Sequence, residues 1–434
     1  MLANFAYLIA LTLISPIVAY RVLRHGRYRR GIGQKLLGLS AGRARELTDG
    51  QSCIWVHAVS VGEVNLLPRL IHRIESEYPN ERIVVSTSTD TGYDLAIKHF
   101  GIDRVFFCPL DFSWAVSRTL KQLAPTCLVL AELELWPNLI RSARKQGTRV
   151  IVVNARLSER SCQRYQKLGW LTRSIFTKLS FVACQDESCL ENFAACGTPR
   201  DCMTVTGSLK FDDAPHTRDT LDVEQCARWA GIDPWHRVWV VGSSQMREEQ
   251  MALQIYQSLR NQYPELRLII VPRHQERFAE SAGLITRNGL QVRRRTAERQ
   301  QDATQWNDDT VMLIDTIGEL RHWWGVAHIA TVGGSFGDRG GQNMLEPAGY
   351  GAAVSFGPDT RNFRQIADRL IKNDAAVRVC DELELHAFVQ RCLDDIPAAD
   401  SLGRAAKAVV HKHRGATGRT IEAIFGSRQQ AKAA

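Results

Sequence analysis

The strongest constraint on the fold is a recurring unit: four or five mostly apolar residues, a stretch with helical spacing, then another such run. A first series comprises Cys53–His57, Arg82–Ser86, Val105–Cys108, Cys127–Leu130, Arg149–Val153, Phe181–Cys184 and Met203–Thr206. A strand with one wet face alternates polar and apolar residues, whereas all of these runs but the last carry at least three apolar residues in succession. Both faces must therefore be covered, the condition of a parallel sheet between helical layers. After the polar break Asp212-Asp213-Ala214-Pro215-His216 the pattern restarts with Val238–Val241, Arg267–Val271, Val311–Ile314, His328–Val332 and Ala353–Phe356. The expectation is an α/β chain with two Rossmann-like domains facing a central cleft, where ligands meet the carboxyl ends of the strands. A chain of 434 residues has room for two such cores and a small addition.

The addition stands at the start. Met1–Tyr20 has no charged side chain and is close to the roughly 20 residues that cross a bilayer. Then come Arg21, Arg24, Arg27, Arg29, Arg30, Lys35, Arg43 and Arg45 with no acid among them, accounting for most of the formal charge of +9. Cations after the apolar run reverse the order of a cleaved signal peptide and hold the following domains on the cytoplasmic, anionic face of the membrane. Pro16 inside the run leaves a spanning and a monotopic helix both open. The expected division is a membrane anchor at 1–20, a basic juxtamembrane segment at 21–50, domains at 51–213 and 214–425, and a tail at 426–434. No nucleic-acid partner is expected, because the basic block lacks interleaved aromatics on a recognisable module. The eleven cysteines are scattered without a C-x-x-C pair, which points to reduced thiols rather than disulfides or zinc.

Chemistry-bearing residues gather where strands end. Glu63 lies where the run Cys53–His57 gives way to a helix, and Gly62 beside it allows close approach to the backbone. A carboxylate there serves as a general base toward a substrate hydroxyl; the plain alternative is a first-turn glutamate favoured by the helix dipole, which would also lower its basicity. Glu132 and Glu134 follow the run Cys127–Leu130 and would share one side of an extended backbone. Two acids there cost free energy unless cations or hydroxyls receive them. Without an Asp-x-Asp or a nearby histidine, a metal-free site is expected. Arg156, Arg160 and Lys210 follow later strands and suit an anionic sugar or a leaving phosphate, although each taken singly is as readily a surface cation. In the second series the strand ends carry Pro272-Arg273-His274, Asp315–Leu320, and Val332–Ser335 leading to Gly340–Glu346. Glycine-rich turns before a helix leave amides free for phosphate, a set that includes Ser335 and Gln342. Asn343 helps at the helix start, and Glu346 suits ribose hydroxyls.

Taken together, His57-Ala-Val-Ser-Val-Gly-Glu63, Glu132-Leu-Glu-Leu-Trp-Pro-Asn138, Asn154-Ala-Arg-Leu-Ser-Glu-Arg-Ser161, Gly207-Ser-Leu-Lys-Phe-Asp212, Pro272-Arg-His274 and Gly340-Gly-Gln-Asn-Met-Leu-Glu346 carry a resemblance. The chain resembles the Kdo (3-deoxy-D-manno-octulosonic acid) transferases of lipopolysaccharide synthesis, from its apolar start to at least Phe363. That resemblance implies the two-Rossmann GT-B fold, an acceptor-binding first domain and a CMP-Kdo-binding second domain. It further implies transfer of Kdo from CMP-Kdo to a lipid A precursor of the lipid IVA type at the cytoplasmic face of the bacterial inner membrane, with no cofactor or metal. By the same resemblance Glu63 is the proton acceptor, Glu132 and Lys210 stabilise the transition state, and Pro272, Arg273, Ile317, Gly318, Glu319, Asn343, Met344, Leu345 and Glu346 hold CMP. Other readings are a GT-B enzyme for a different lipid or nucleotide sugar, and a non-catalytic sugar-nucleotide-binding protein. Two positions depart from the family pattern: Gln245 after Ser243-Ser244, and Gln342, where histidine is usual. Glutamine still donates a hydrogen bond but carries no positive charge near neutral pH.

Overall fold

The computed structural model describes residues 30–297 and 309–433, with side chains as far as Phe425. The expected anchor and the cations at 21–29 lie outside the described residues. Among the described residues no helix is long and apolar enough to cross a membrane.

Contacts divide the chain into two compact units, one built from the residues up to Asp212 together with those from Arg414 on, the other from Asp213–His413. The first holds a seven-stranded parallel sheet with β1 (Cys53–His57), β2 (Arg82–Thr87), β3 (Val105–Phe107), β4 (Cys127–Ala131), β5 (Arg149–Ala155), β6 (Phe181–Cys184) and β7 (Met203–Val205), in the order β3-β2-β1-β4-β5-β6-β7. Trp55, Leu128 and Val152 are buried in the core on one face, and Ile54, Val129 and Ile151 in the core on the other. That two-sided burial is why the runs show no alternation.

The second unit repeats the scheme with β8 (Arg237–Ser244), β9 (Leu266–Pro272), β10 (Gln291–Arg294), β11 (Thr310–Leu313), β12 (Ile329–Val332), β13 (Ala353–Phe356) and β14 (Val377–Arg378), in the order β10-β11-β9-β8-β12-β13-β14. Two of these strands, β10 and β14, have no counterpart in the sequence reading. Both are edge strands, and neither contains a fully buried residue. Gln291-Val-Arg-Arg294 is polar because an edge needs little apolar cover and cations there discourage stray pairing.

Strand order reverses beside the first strand of each sheet. In the first unit β1 lies between β2 and β4, with His57 level with Leu130; in the second β8 lies between β9 and β12. Open parallel sheets bind ligands outside the carboxyl ends at such a reversal.

The carboxyl terminus departs from the expected division. The helix Ala416–Ala433 belongs to the first unit rather than closing the second, and it continues through the residues expected as a tail. Ile421, Ile424 and Phe425 are buried in one face of the first sheet's core, where Phe425 stacks on Tyr78 with ring centroids 3.7 Å apart.

Candidate active site

In the first unit three acids converge at the reversal. β1 runs into Ala58 and Val59; Ser60 then caps the short helix Val61–Val64, its hydroxyl accepting from the Glu63 amide. The Glu63 carboxylate folds back on this turn: Val59 N–H donates to Oε2 at 2.8 Å and the Ser60 hydroxyl donates to Oε1 at 2.9 Å. Only 9% of the residue is exposed. Burial pushes its carboxyl up to about 7; the Val59 amide opposes the shift, Glu134 adds to it, Ser60 opposes it and Glu132 adds to it. The sequence reading set a general base against a glutamate whose basicity the helix dipole would lower; the largest influence on this carboxyl is burial, which raises its pKa instead.

Glu132 and Glu134 both lie close enough to Glu63 to act on its charge, but not through the geometry expected. β4 ends at Ala131, and Glu132 has φ of +56°, so the two acids do not share the side of one extended strand. Their approach depends on this left-handed turn, which β-carbon-bearing residues seldom adopt and which is concentrated at functional sites. Glu134 accepts from Trp136 Nε1 at 2.8 Å; burial raises its carboxyl pKa, the Trp136 bond opposes that rise and Glu132 adds to it. Lys210, in a short turn after β7, brings Nζ to 4.0 Å from Glu132 Oε1. Arg156 is half-buried and Arg160 lies exposed on the helix Glu159–Lys167.

In the second unit the nominated residues fall into three groups. Arg273, just past β9, is exposed, and its amide donates to the Ser244 carbonyl at 3.1 Å; Pro272 is buried in β9 itself. Past β11, Ile317 is 73% exposed and Gly318 has φ of +93°. Glu319 accepts from Arg295 Nε at 3.0 Å. Past β12, Asn343 uses both ends of its amide, accepting from Leu345 N–H and donating to Glu346 Oε1 at 3.1 Å each. Burial raises the Glu346 carboxyl pKa, against the pull of Arg321, the Asn343 bond and Arg273, while Asp213 adds to the rise. Met344 and Leu345 are core side chains, so what they present to a ligand is backbone.

One expectation fails at this end. The turn Gly334–Phe336 does not leave its amides free: the buried Glu248 carboxylate accepts from Gly334 at 2.9 Å, Ser335 at 3.0 Å and Phe336 at 3.2 Å. The Ser335 hydroxyl is likewise engaged, donating to Val332 O and accepting from Gly357 N–H. Gly340 donates to Asp359 and Gly341 to Gly334 O. The glycine signal is real, but an internal carboxylate already holds the anion position in this turn.

Comparison with known proteins decides the family. The family model for 3-deoxy-D-manno-octulosonic-acid transferase (kdotransferase) matches residues 29–213. A 3-deoxy-D-manno-octulosonic acid transferase of Haemophilus influenzae is 32% identical over 86% of this chain and 86% of its own. That of Bordetella pertussis is 32% identical over 96% of this chain and 98% of its own. The chain belongs to the Kdo transferases. Among solved structures, the UDP-GlcNAc 2-epimerase of Neisseria meningitidis superposes with a TM-score of 0.57 over 87% of this chain and 100% of its own. At 10% identity it shares the fold alone.

In this Kdo transferase some residues around the site carried no individual signal in the sequence. Glu248 is one, being an ordinary third-position helix glutamate until its amide partners are seen. Asn154 is another: it has φ of +53°, and its Oδ1 accepts from the Leu209 amide at 3.1 Å, next to Lys210. His57 is fully buried, with Nδ1 2.8 Å from the Ser86 hydroxyl, and burial pushes its pKa down to about 4. Asparagine is among the few residues that adopt αL, but the residue type alone does not mark the turn; a buried neutral histidine is no more visible.

Proposed function

We propose that this Kdo transferase moves Kdo from CMP-Kdo to a lipid A precursor of the lipid IVA type, working at the cytoplasmic face of the bacterial inner membrane. Glu63 takes the proton from a glucosamine hydroxyl of the acceptor while that oxygen forms a bond to the anomeric carbon of Kdo. The bond from that carbon to the phosphate oxygen breaks at the same time, CMP leaves with the electron pair, and the anomeric configuration inverts. Transfer calls on neither a metal nor a covalent sugar intermediate. The observation that carries this reading is a buried carboxylate at a sheet reversal with its pKa raised to about 7, a value suited to accepting a proton near neutral pH.

The remaining roles follow from charge. Lys210, near Glu132, offsets negative charge as the phosphate departs, and Glu132 keeps the ammonium group oriented. CMP is held in the second unit by Arg273, by the exposed turn Ile317–Glu319, and by Asn343 to Glu346, with Glu346 receiving ribose hydroxyls. Gln342 and Gln245 contribute hydrogen bonds where a histidine would add charge, so donor affinity in this chain should vary little across the histidine titration range. The test is incubation of the purified full-length protein with CMP-Kdo and lipid IVA, followed by mass spectrometry. One or two Kdo increments are expected from the wild type and none from Glu63→Ala; an unmodified lipid from folded wild-type protein, or a fully active variant, overturns the reading.

A further inference from the structure

Glu132 and Lys210 come from distant parts of the chain to stand 4.0 Å apart, and the end of β5 supports both. The Glu132 amide donates to the Val153 carbonyl at 2.9 Å. One residue further along β5, Asn154 Oδ1 accepts from the Leu209 amide at 3.1 Å. Leu209 opens the short turn Leu209–Phe211, whose middle residue is Lys210. Two consecutive residues of one strand thus hold the backbone of the acid and the residue next to the cation. A lysine ammonium is a compact charge on a flexible stem, so where it acts is set largely by where its backbone is fixed.

Asn154 has features that a core-filling residue would lack. It is 1% exposed and has φ of +53° inside a strand, and the pairing of β5 with β6 shifts register between Val152 and Ala155. Its carbonyl accepts from Gln185 Nε2 at 2.9 Å, whereas its own Nδ2 is buried without a hydrogen-bond partner among the described residues. Left-handed backbone and an unpaired buried donor are both unfavourable, and such features gather where function requires them. Asparagine suits the position because it adopts αL more readily than most residues and carries a short acceptor. The ends of the turn are held from elsewhere. Thr206 O accepts from Arg419 Nε at 2.8 Å, and the Asp212 carboxylate accepts from the Gly415 and Thr417 amides at 2.6 Å each. Asn154 adds a tie between the turn and the strand that also supports Glu132.

We infer that Asn154 is a positioning residue for sugar transfer: through the Leu209 amide it holds the turn of Lys210 against β5, so that the ammonium group meets Glu132. The inference rests on the role proposed above for Lys210, and Asn154 acts through that lysine rather than on the reacting atoms. Charge on the phosphate grows as the bond to Kdo breaks, so a displaced Lys210 should show in kcat more than in the KM for CMP-Kdo.

Glycine accepts a positive φ without strain, so Asn154→Gly removes the acceptor and leaves the backbone course intact. In the full-length protein this variant is expected to lower kcat about 10- to 100-fold, the scale of a small misplacement near the reacting centre. The KM for CMP-Kdo should stay within about threefold of the wild type. In a Lys210→Ala background the same change should lower kcat by no more than about twofold, because the group it positions is already gone. Hydrogen exchange followed by mass spectrometry supplies a readout that needs no turnover. The peptide containing Leu209 should exchange faster in Asn154→Gly, while peptides of β1 and β4 keep their protection and show that the unit remains folded. An equal fold-loss of kcat in both backgrounds overturns the inference, as does unchanged exchange at Leu209 or an unchanged kcat in Asn154→Gly. A fully active Lys210→Ala overturns the reading of Lys210, and the inference with it. An impaired Lys210→Ala combined with any of the three preceding results removes the inference alone.

Discussion

Glu63 is the residue whose ionisation links stability to activity. With its carboxyl pushed up to about 7, the proposed base gains its charge only as pH rises through neutrality, so kcat/KM should climb across that range and level off above it. Glu63→Gln should remove that limb and lower the rate by about 10²- to 10⁴-fold; a wild-type profile flat from pH 5 to 8 would count against the base. The same shift predicts a stability effect of opposite use. Because the folded pKa lies above the ordinary carboxylate value of about 4.3, the native state keeps a proton that the unfolded chain has already released. Wild-type stability therefore falls as pH rises from roughly 4.5 to about 7 and then levels. Glutamine does not titrate, so Glu63→Gln should gain on the wild type between pH 5 and pH 8 in urea denaturation. An equal difference at both pH values contradicts it. The position of Glu63 was legible from its place between an apolar run and a helix. Its basicity was not, because it comes from burial and from the charges of Glu134 and Glu132, both of which only the fold supplies.

At the level of elements, the turn after β12 shows how a motif can be seen and its use mistaken. Gly333-Gly334-Ser335 ahead of a helix is the pattern of an anion-binding turn, and the turn does bind an anion, namely the side chain of Glu248. The sequence could not show this because Glu248 lies 86 residues away from Gly334. Four amides depend on that carboxylate, the fourth being Gln245 at 2.8 Å. Glu248→Ala should therefore leave several buried donors without a partner and cost about 3 kcal/mol or more, given a typical penalty of about 1–3 kcal/mol per unsatisfied group. Urea denaturation of the variant measures this, and a change below about 0.5 kcal/mol would show the turn to be held by other means. Strands divide along the same physical line. Those buried on both faces, such as β4 and β9, declare themselves by continuous apolar runs, whereas β10 and β14 are defined by pairing at an edge and leave almost no mark on composition.

For the whole molecule, the course of the chain is what local pattern conceals most. Two restarting series of strands foretold two sheets, yet the chain crosses back after His413 to finish the unit with which it began. No periodicity announces such a return: nothing in Ile421, Ile424 and Phe425 themselves says which unit they pack on, and only the receiving surface identifies their owner. That surface is specific. The Asp212 carboxylate accepts from the Gly415 and Thr417 amides at 2.6 Å each, Arg419 Nε donates to Thr206 O at 2.8 Å, and Arg149 Nη2 donates to Ile424 O at 3.1 Å. Ile421, Ile424 and Phe425 are buried against it, and at about 1.5–3 kcal/mol for each buried apolar side chain their loss amounts to about 5 kcal/mol or more. That is on the scale of a domain's entire stability, about 5–15 kcal/mol. A chain ending at His413 should accordingly show faster hydrogen exchange in β5, β6, β7 and the helix Leu67–Glu77, while the sheet of Asp213–His413 keeps its protection. Faster exchange confined to the second unit would instead assign the terminal helix there, as a reading of consecutive sequence alone would have done.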